Sequence, residues 1–214
     1  THTLPLYYFG KDPAWSMGSS YLFGLNARAD DRWLTSPAGQ AEWGKFAAAQ
    51  GVESWPLGAI SGRAELPSQG TQAPGVYNLT QSWWCKRPIT GLSALRGLRV
   101  RLGGADQAIW ERLGVLPHNI PGGEIFKALE NGTLDCTAWF TPYDDARLGF
   151  NRQAAYLVHW GPNEGRSSIQ TMLLANARAL ESLPPAYRAA LDGAAVDANT
   201  WMQAQYEAQN LPAL

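Results

Sequence analysis

Charged and metal-binding side chains are scarce in this chain. Of its 214 residues 16% are Asp, Glu, Lys or Arg, the 17 basic and 18 acidic side chains nearly cancel, and there are three histidines and two cysteines. A near-neutral sequence without a Lys/Arg run carries no electrostatic footprint for nucleic acid. No apolar stretch approaches the length of a membrane span, so insertion into a bilayer is not expected; the first residues also lack a charged segment followed by an apolar one. Internal repeats and low-complexity segments are missing as well. So are Gly-x-Ser-x-Gly, the phosphate-binding Gly-rich lysine loop, the dinucleotide Gly-x-Gly-x-x-Gly and the His-Glu-x-x-His zinc motif, which leaves the commonest enzyme signatures unrepresented. Acidic pairs such as Asp144-Asp145 remain as candidate catalytic carboxylates, yet neighbours in sequence need not share a face. An enzyme is not the expected class.

What is present is a chain with 45% hydrophobic residues, enough to bury a core in one or two compact domains. In Leu98-Arg99-Val100-Arg101-Leu102 the apolar residues alternate with two arginines, so a strand buries the first set and turns both arginines to the other face. A helix follows, with Asp106 in its first turn, Ile109, Trp110 and Leu113 as its stripe and Gly114 as its stop. A second strand, Val115 to Ile120, leads through Pro121-Gly122-Gly123 into a helix carrying Ile125, Phe126 and Leu129. Gly132 ends that helix, and Leu134 to Phe140 is a third strand. Strand, helix, strand, helix, strand at this spacing predicts crossover connections and a parallel sheet. Ligands of open α/β sheets collect at the carboxyl ends of the strands, where Arg101, Trp139 and Tyr143 fall.

Elsewhere Leu4 to Phe9 reads as a strand and Ala41 to Ala49 as a helix. The Gly-, Pro-, Ser- and Gln-rich stretch from Pro56 to Pro74 reads as a loop or linker. Residues 168 to 214 read as helical, first Ile169 to Leu180 and then a helix from Pro185 past Tyr206 with proline in its first turn. Cys85 and Cys136 allow one intramolecular disulfide and no metal-ligand spacing. Their apolar surroundings favour buried free thiols, with the disulfide as the alternative.

The phrases Gly97-Leu98-Arg99-Val100-Arg101, Leu113-Gly114, Pro121-Gly122-Gly123-Glu124-Ile125-Phe126-Lys127-Ala128-Leu129-Glu130-Asn131-Gly132-Thr133-Leu134-Asp135 and Pro142-Tyr143-Asp144-Asp145 resemble the extracytoplasmic solute-binding proteins of TRAP (tripartite ATP-independent periplasmic) transporters, the DctP-type family, in its branch for 2-oxo acids and related carboxylates. Phe23 to Arg28 with Trp33, Tyr156 to Gly165, and Leu183-Pro184 extend the resemblance over most of the chain. Members of the family are longer, so the chain resembles one that lacks the amino-terminal part of the first lobe and the carboxyl-terminal end.

The resemblance implies an α/β, periplasmic-binding-protein-like fold: a partial first lobe and linker (1–75), a second α/β ligand-binding lobe with a parallel-type sheet flanked by helices (76–165), and C-terminal helices packing on the first lobe (166–214). It implies binding of a small carboxylate of the 2-oxo or 2-hydroxy acid type in the periplasm and delivery to TRAP membrane subunits. A dimer through the C-terminal helices fits this picture, and a ligand sensor built on the same fold is the alternative. Arg101 matches the family's carboxylate-binding arginine, suited to the task because a guanidinium forms two parallel charge-assisted hydrogen bonds. Trp84, Trp139, Trp160 and Phe23 are the implied aromatic walls; Tyr143, Asp144 and Gln81 complete the set. Arg99 is left as a surface residue, and His159 near Trp160 defaults to a packed histidine. In relatives a glutamate before the Trp139 position helps hold a ligand-bridging cation, and here that residue is Ala138, so no cofactor or metal is expected. The lobe junction near both cysteines and an oxidising periplasm are what the family adds in favour of a disulfide.

Overall fold

The computed structural model of the chain describes residues 1–17, 25, 27–66, 75–103, 107–159 and 169–214. In chain order the elements are β1 (His2–Thr3), α1 (Ala27–Thr35), α2 (Pro37–Ala49), β2 (Val52–Ile60), β3 (Arg63–Leu66), β4 (Gly75–Asn78), β5 (Trp83–Cys85), β6 (Arg99–Arg101), α3 (Gln107–Arg112), β7 (Leu116–His118), α4 (Gly122–Glu130), β8 (Cys136–Ala138), α5 (Pro142–Arg147), α6 (Phe150–Gln153), β9 (Tyr156–Val158), β10 (Ile169–Asn176), α7 (Ala177–Glu181) and α8 (Pro185–Gln209). They divide into two compact units, one from residues 1–17, 27–61 and 169–206, the other from 62–66, 75–103, 107–159 and 207–214.

The first unit is built on an antiparallel sheet in the order β1-β10-β2. Its middle strand corrects the helix expected from Ile169 to Leu180: residues up to Asn176 are extended, and helix begins only at α7, capped by the Asn176 side chain. The strand's first four residues, Ile169-Gln170-Thr171-Met172, are all buried, so no alternation of apolar and polar residues marks the segment as a strand rather than a helix. Ile169 and Met172 are fully buried in it. The strand expected over Leu4 to Phe9 is instead a 3-10 turn, Pro5–Tyr8, because Pro5 fixes φ and removes an N–H. The Ala41 to Ala49 helix is the later part of α2, which starts at Pro37 behind Ser36; the Ser36 hydroxyl accepts from Gly39 N at 3.1 Å.

The Pro56–Pro74 linker reading is also corrected, since β2 runs to Ile60 and β3 pairs antiparallel with β4. Pro56 is tolerated because β2 lies at the sheet's edge. Opposite Thr171 and Met172 the register slips by one residue at Gly58, whose φ is +122° and where a Cβ would meet the Met202 side chain at 2.7 Å. Trp15, Leu34, Trp43, Met172 and Leu174 form the core. Outside it, Arg188 of α8 forms an ion pair with Glu53, and Trp55 Nε1 donates to Asp192 at 2.7 Å.

The second unit carries a five-stranded sheet in the order β7-β6-β8-β5-β9. β7, β6 and β8 are mutually parallel, as the strand and helix alternation predicts, whereas β5 runs antiparallel to both β8 and β9 and makes the sheet mixed. Alternation separates two faces. Leu98, Val100 and Leu102 are buried with Trp83, Leu95, Trp110 and Val115 on one. On the other Trp84 packs with Ile125, Leu129, Leu134 and Phe150.

The antiparallel β5–β8 pairing sets Cys85 directly opposite Cys136, and the two form a disulfide across 4.1 Å between Cα atoms. This overturns the free-thiol reading. Both residues are fully buried, as their apolar surroundings imply, but the strand pairing that decides the covalent state is non-local. A bridge 51 residues apart in sequence limits the unfolded ensemble by an amount worth about 4 kcal/mol in the chain-entropy treatment. We expect the Cys85→Ser/Cys136→Ser double variant to lose about 2–4 kcal/mol in urea unfolding followed by circular dichroism; an unchanged midpoint would show that the bridge adds no stability.

Candidate functional site

Cross-strand register in the second unit places five side chains in one row across the sheet: His118, Arg101, Thr137, Trp84 and Leu157, each paired with the next. Directly paired residues project to the same face, so the row brings two of the sequence-predicted site residues, Arg101 and Trp84, to one side with Thr137 between them. Thr137 is fully buried, and among the described residues its hydroxyl has no hydrogen-bond partner.

Arg101 ends β6. Its guanidinium carbon lies 4.6 Å from the Trp139 ring centroid, Nε donates to Ile120 O at 3.4 Å and Nη1 donates to Ala138 O at 3.3 Å. Cation–π contact and carbonyl acceptors orient the planar fork. The Pro121-Gly122-Gly123 turn belongs to the same arrangement: a Cβ at Gly122 would stand 2.6 Å from Trp139 Cη2, so only glycine lets the indole lie against the start of α4. Arg99, two residues earlier, is differently placed. Its Nε and Nη2 both donate to the Asp135 carboxylate, at 2.9 and 2.7 Å. The residue read as simply exposed is thus a bidentate ion pair.

Behind the row lies Asp145, which the sequence reading considered only as half of an acidic pair. It is 1% exposed. Oδ2 accepts from Trp84 Nε1 at 3.0 Å and Oδ1 accepts from Phe140 N at 3.3 Å. Burial pushes this carboxyl well above the usual aspartate range; the Phe140 N–H opposes the shift, the neighbouring Asp144 charge adds to it, and the Trp84 indole opposes it again. Asp144 turns elsewhere and accepts from Thr141 Oγ1 at 2.9 Å. Gln81, buried at the turn into β5, holds φ at +54° with its N–H on Phe140 O at 2.6 Å. Tyr143 N donates to the Asn210 side chain at 3.4 Å, and the Tyr143 hydroxyl accepts from Arg147 at 3.1 Å. Burial lowers the His159 pKa. Phe23 and Trp160 lie outside the described residues. A separate cavity of about 690 Å³ in the first unit, lined by Trp43, Val52, Trp55, Ala195 and Val196, includes none of these side chains.

The sequence profile of bacterial extracellular solute-binding protein family 7 (DctP) matches residues 75–214. The chain belongs to that family. It is 36% identical over 213 residues to a monocarboxylate 2-oxoacid-binding periplasmic protein of Nostoc sp., a match that covers 100% of this chain and 53% of the relative. A TRAP transporter solute-binding protein of Bordetella bronchiseptica, a dimer with calcium and picolinate in one active site and the other apo, superposes with a TM-score of 0.81 at 32% identity over 99% of this chain and 57% of its own. One from Pseudoalteromonas atlantica with bound sodium and pyruvate gives 0.77 at 28% identity, over 100% and 60%. This chain therefore spans little more than half the length of the relatives it matches. The α/β fold expected of a solute-binding protein is the one observed.

Within this family 7 chain the Arg99–Asp135 pair titrates in a defined direction. The Arg99 hydrogen bond holds the Asp135 carboxyl below its ordinary value against a smaller opposing effect of burial. A depressed native pKa contributes stability that is present above the unfolded value and lost as the pH falls through the native one. The gap in urea midpoint between the parent chain and Asp135→Asn is expected to be largest at neutral pH and to shrink as the pH falls through the native Asp135 pKa. A gap that widens on acidification would reverse the assignment.

Proposed function

We propose that the protein to which this chain belongs binds a small organic carboxylate of the 2-oxo or 2-hydroxy acid type in the periplasm and delivers it to the membrane component of a TRAP transporter. Arg101 carries this reading: a guanidinium at a strand's carboxyl end, stacked on Trp139 and oriented by two backbone carbonyls, is a preset receptor for two carboxylate oxygens. Trp84 and Trp139 supply apolar walls, and Gln81 and Tyr143 polar ones. Family membership supports recognition rather than catalysis.

The ligands of the two solved relatives share a chemical feature. Pyruvate and picolinate each set a second acceptor, a keto oxygen or a ring nitrogen, beside the carboxylate. Both relatives hold a cation with their ligand, but the residues here do not fit an acidic cation cage. Ala138 packs in the apolar cluster of Trp83 and Val100, and among the described residues no group of three or more His, Cys, Asp or Glu stands together. Hard cations need such oxygen ligands. The Gln81 amide would then meet the second acceptor directly.

Calorimetric titration with pyruvate tests both points. Arg101→Lys, which keeps the charge and loses the fork, should weaken binding by roughly tenfold or more, and unchanged affinity would remove Arg101 from the site. Pyruvate affinity should be the same in chelator and in sodium-free buffer. Its collapse in either medium would show that Asp144 or another group holds a cation.

A further inference from the structure

Asp145 is a buried acid that the ligand reading does not use. Taking a carboxylate out of water is costly unless its oxygens are satisfied, and here the donors come from two segments. One is β5, through the indole of Trp84. The other is the segment leaving β8, where ladder pairing ends at Ala138. Residues 138–140 contact the proposed site three ways: Ala138 O accepts from Arg101, the Trp139 ring lies against the Arg101 guanidinium, and Phe140 O accepts from Gln81 N. The Phe140 N–H, on the same short segment, is bonded to Asp145. Asp145 is itself fixed on α5 by its own N–H, which donates to Thr141 O at 2.9 Å.

We propose that Asp145 is a positioning residue that holds the 138–140 segment through the Phe140 N–H and so sets the arrangement of Arg101 and Gln81, with the Trp84 indole satisfying its second oxygen. The proposal builds on the carboxylate-binding reading for its purpose but not for its geometry. Leucine branches at Cγ as aspartate does but offers no acceptor, so Asp145→Leu leaves both N–H donors without their partner.

Hydrogen exchange read by NMR on the ligand-free chain tests this directly. In Asp145→Leu the exchange of the Gln81 amide and of the Arg101 Nε–H should rise by roughly tenfold, with the Val100 and Leu129 amides within about twofold of the parent. Trp84→Phe, which removes only the indole donor and leaves the Phe140 tie, should leave Gln81 and Arg101 within about twofold of the parent. Unchanged exchange at both groups in Asp145→Leu, or an equal rise in Trp84→Phe, overturns the proposal. Should Asp145→Leu not fold, the unmodified chain decides: the Phe140 and Gln81 amides are expected to open with one common free energy, and separate free energies refute the tie. Pyruvate titration of the same samples is read independently. Weakening by roughly tenfold in Asp145→Leu joins the tie to ligand binding. Faster exchange in a protein whose parent binds no pyruvate upholds the positioning role and fails the ligand reading instead.

Discussion

The antiparallel pairing of β5 with β8 is the constraint on which the second unit depends. It brings two strands far apart in sequence into register, and one three-residue ladder then does different things on its two faces. The central pair, Trp84 with Thr137, points toward α4 and extends to Arg101. The flanking pairs, Cys85 with Cys136 and Trp83 with Ala138, point the other way into the apolar cluster of Val100 and Trp110. Because the side-chain period of a strand is two, a slip of one residue would invert all three pairs. The disulfide forbids that slip. It therefore protects the row that carries Arg101 without any atom of the bridge lying on that face.

The two arginines of β6 show how local partners divide similar residues between different tasks. Arg99 spends its fork on Asp135 in bidentate geometry, which fixes the chain entering β8. Arg101 leans on an indole face and donates to main-chain carbonyls, groups that orient a guanidinium without bringing a formal negative charge. Stacking and carbonyl contacts orient the Arg101 fork, whereas a bidentate salt bridge commits that of Arg99 to one carboxylate.

Much of this was legible in the residues alone. The alternation at 98–102 correctly separated buried leucines and valine from two arginines; Gly114 marked the end of α3, and Pro121-Gly122-Gly123 and Gly132 marked the start and end of α4. Resemblance then singled out Arg101. The unread parts share one cause, which is that they are decided by distant chain. Ile169–Asn176 is a strand because β1 and β2 flank it; the cysteines are oxidised because β5 runs against β8. Local pattern sees neither. Asp145 could have been suspected from an acid two residues after Tyr143, but its worth lies in Trp84, 61 residues away in sequence.

A buried carboxylate beside a site for carboxylates looks at first like a mistake, since like charges repel and the ligand would meet an anion where it needs a cation. Its hydrogen bonds resolve this. Both Asp145 oxygens accept from N–H donors and are enclosed by protein, so the group acts on the site through the positions of Trp84 and Phe140. Burial also raises its pKa, which reduces its net charge at any given pH relative to an exposed aspartate. An apolar residue of the same size could fill the volume but would leave the Phe140 N–H and the Trp84 indole without acceptors, and each orphaned donor costs about 1–3 kcal/mol. The acid is thus the side chain that satisfies at once a donor of β5 and a donor of the segment leaving β8.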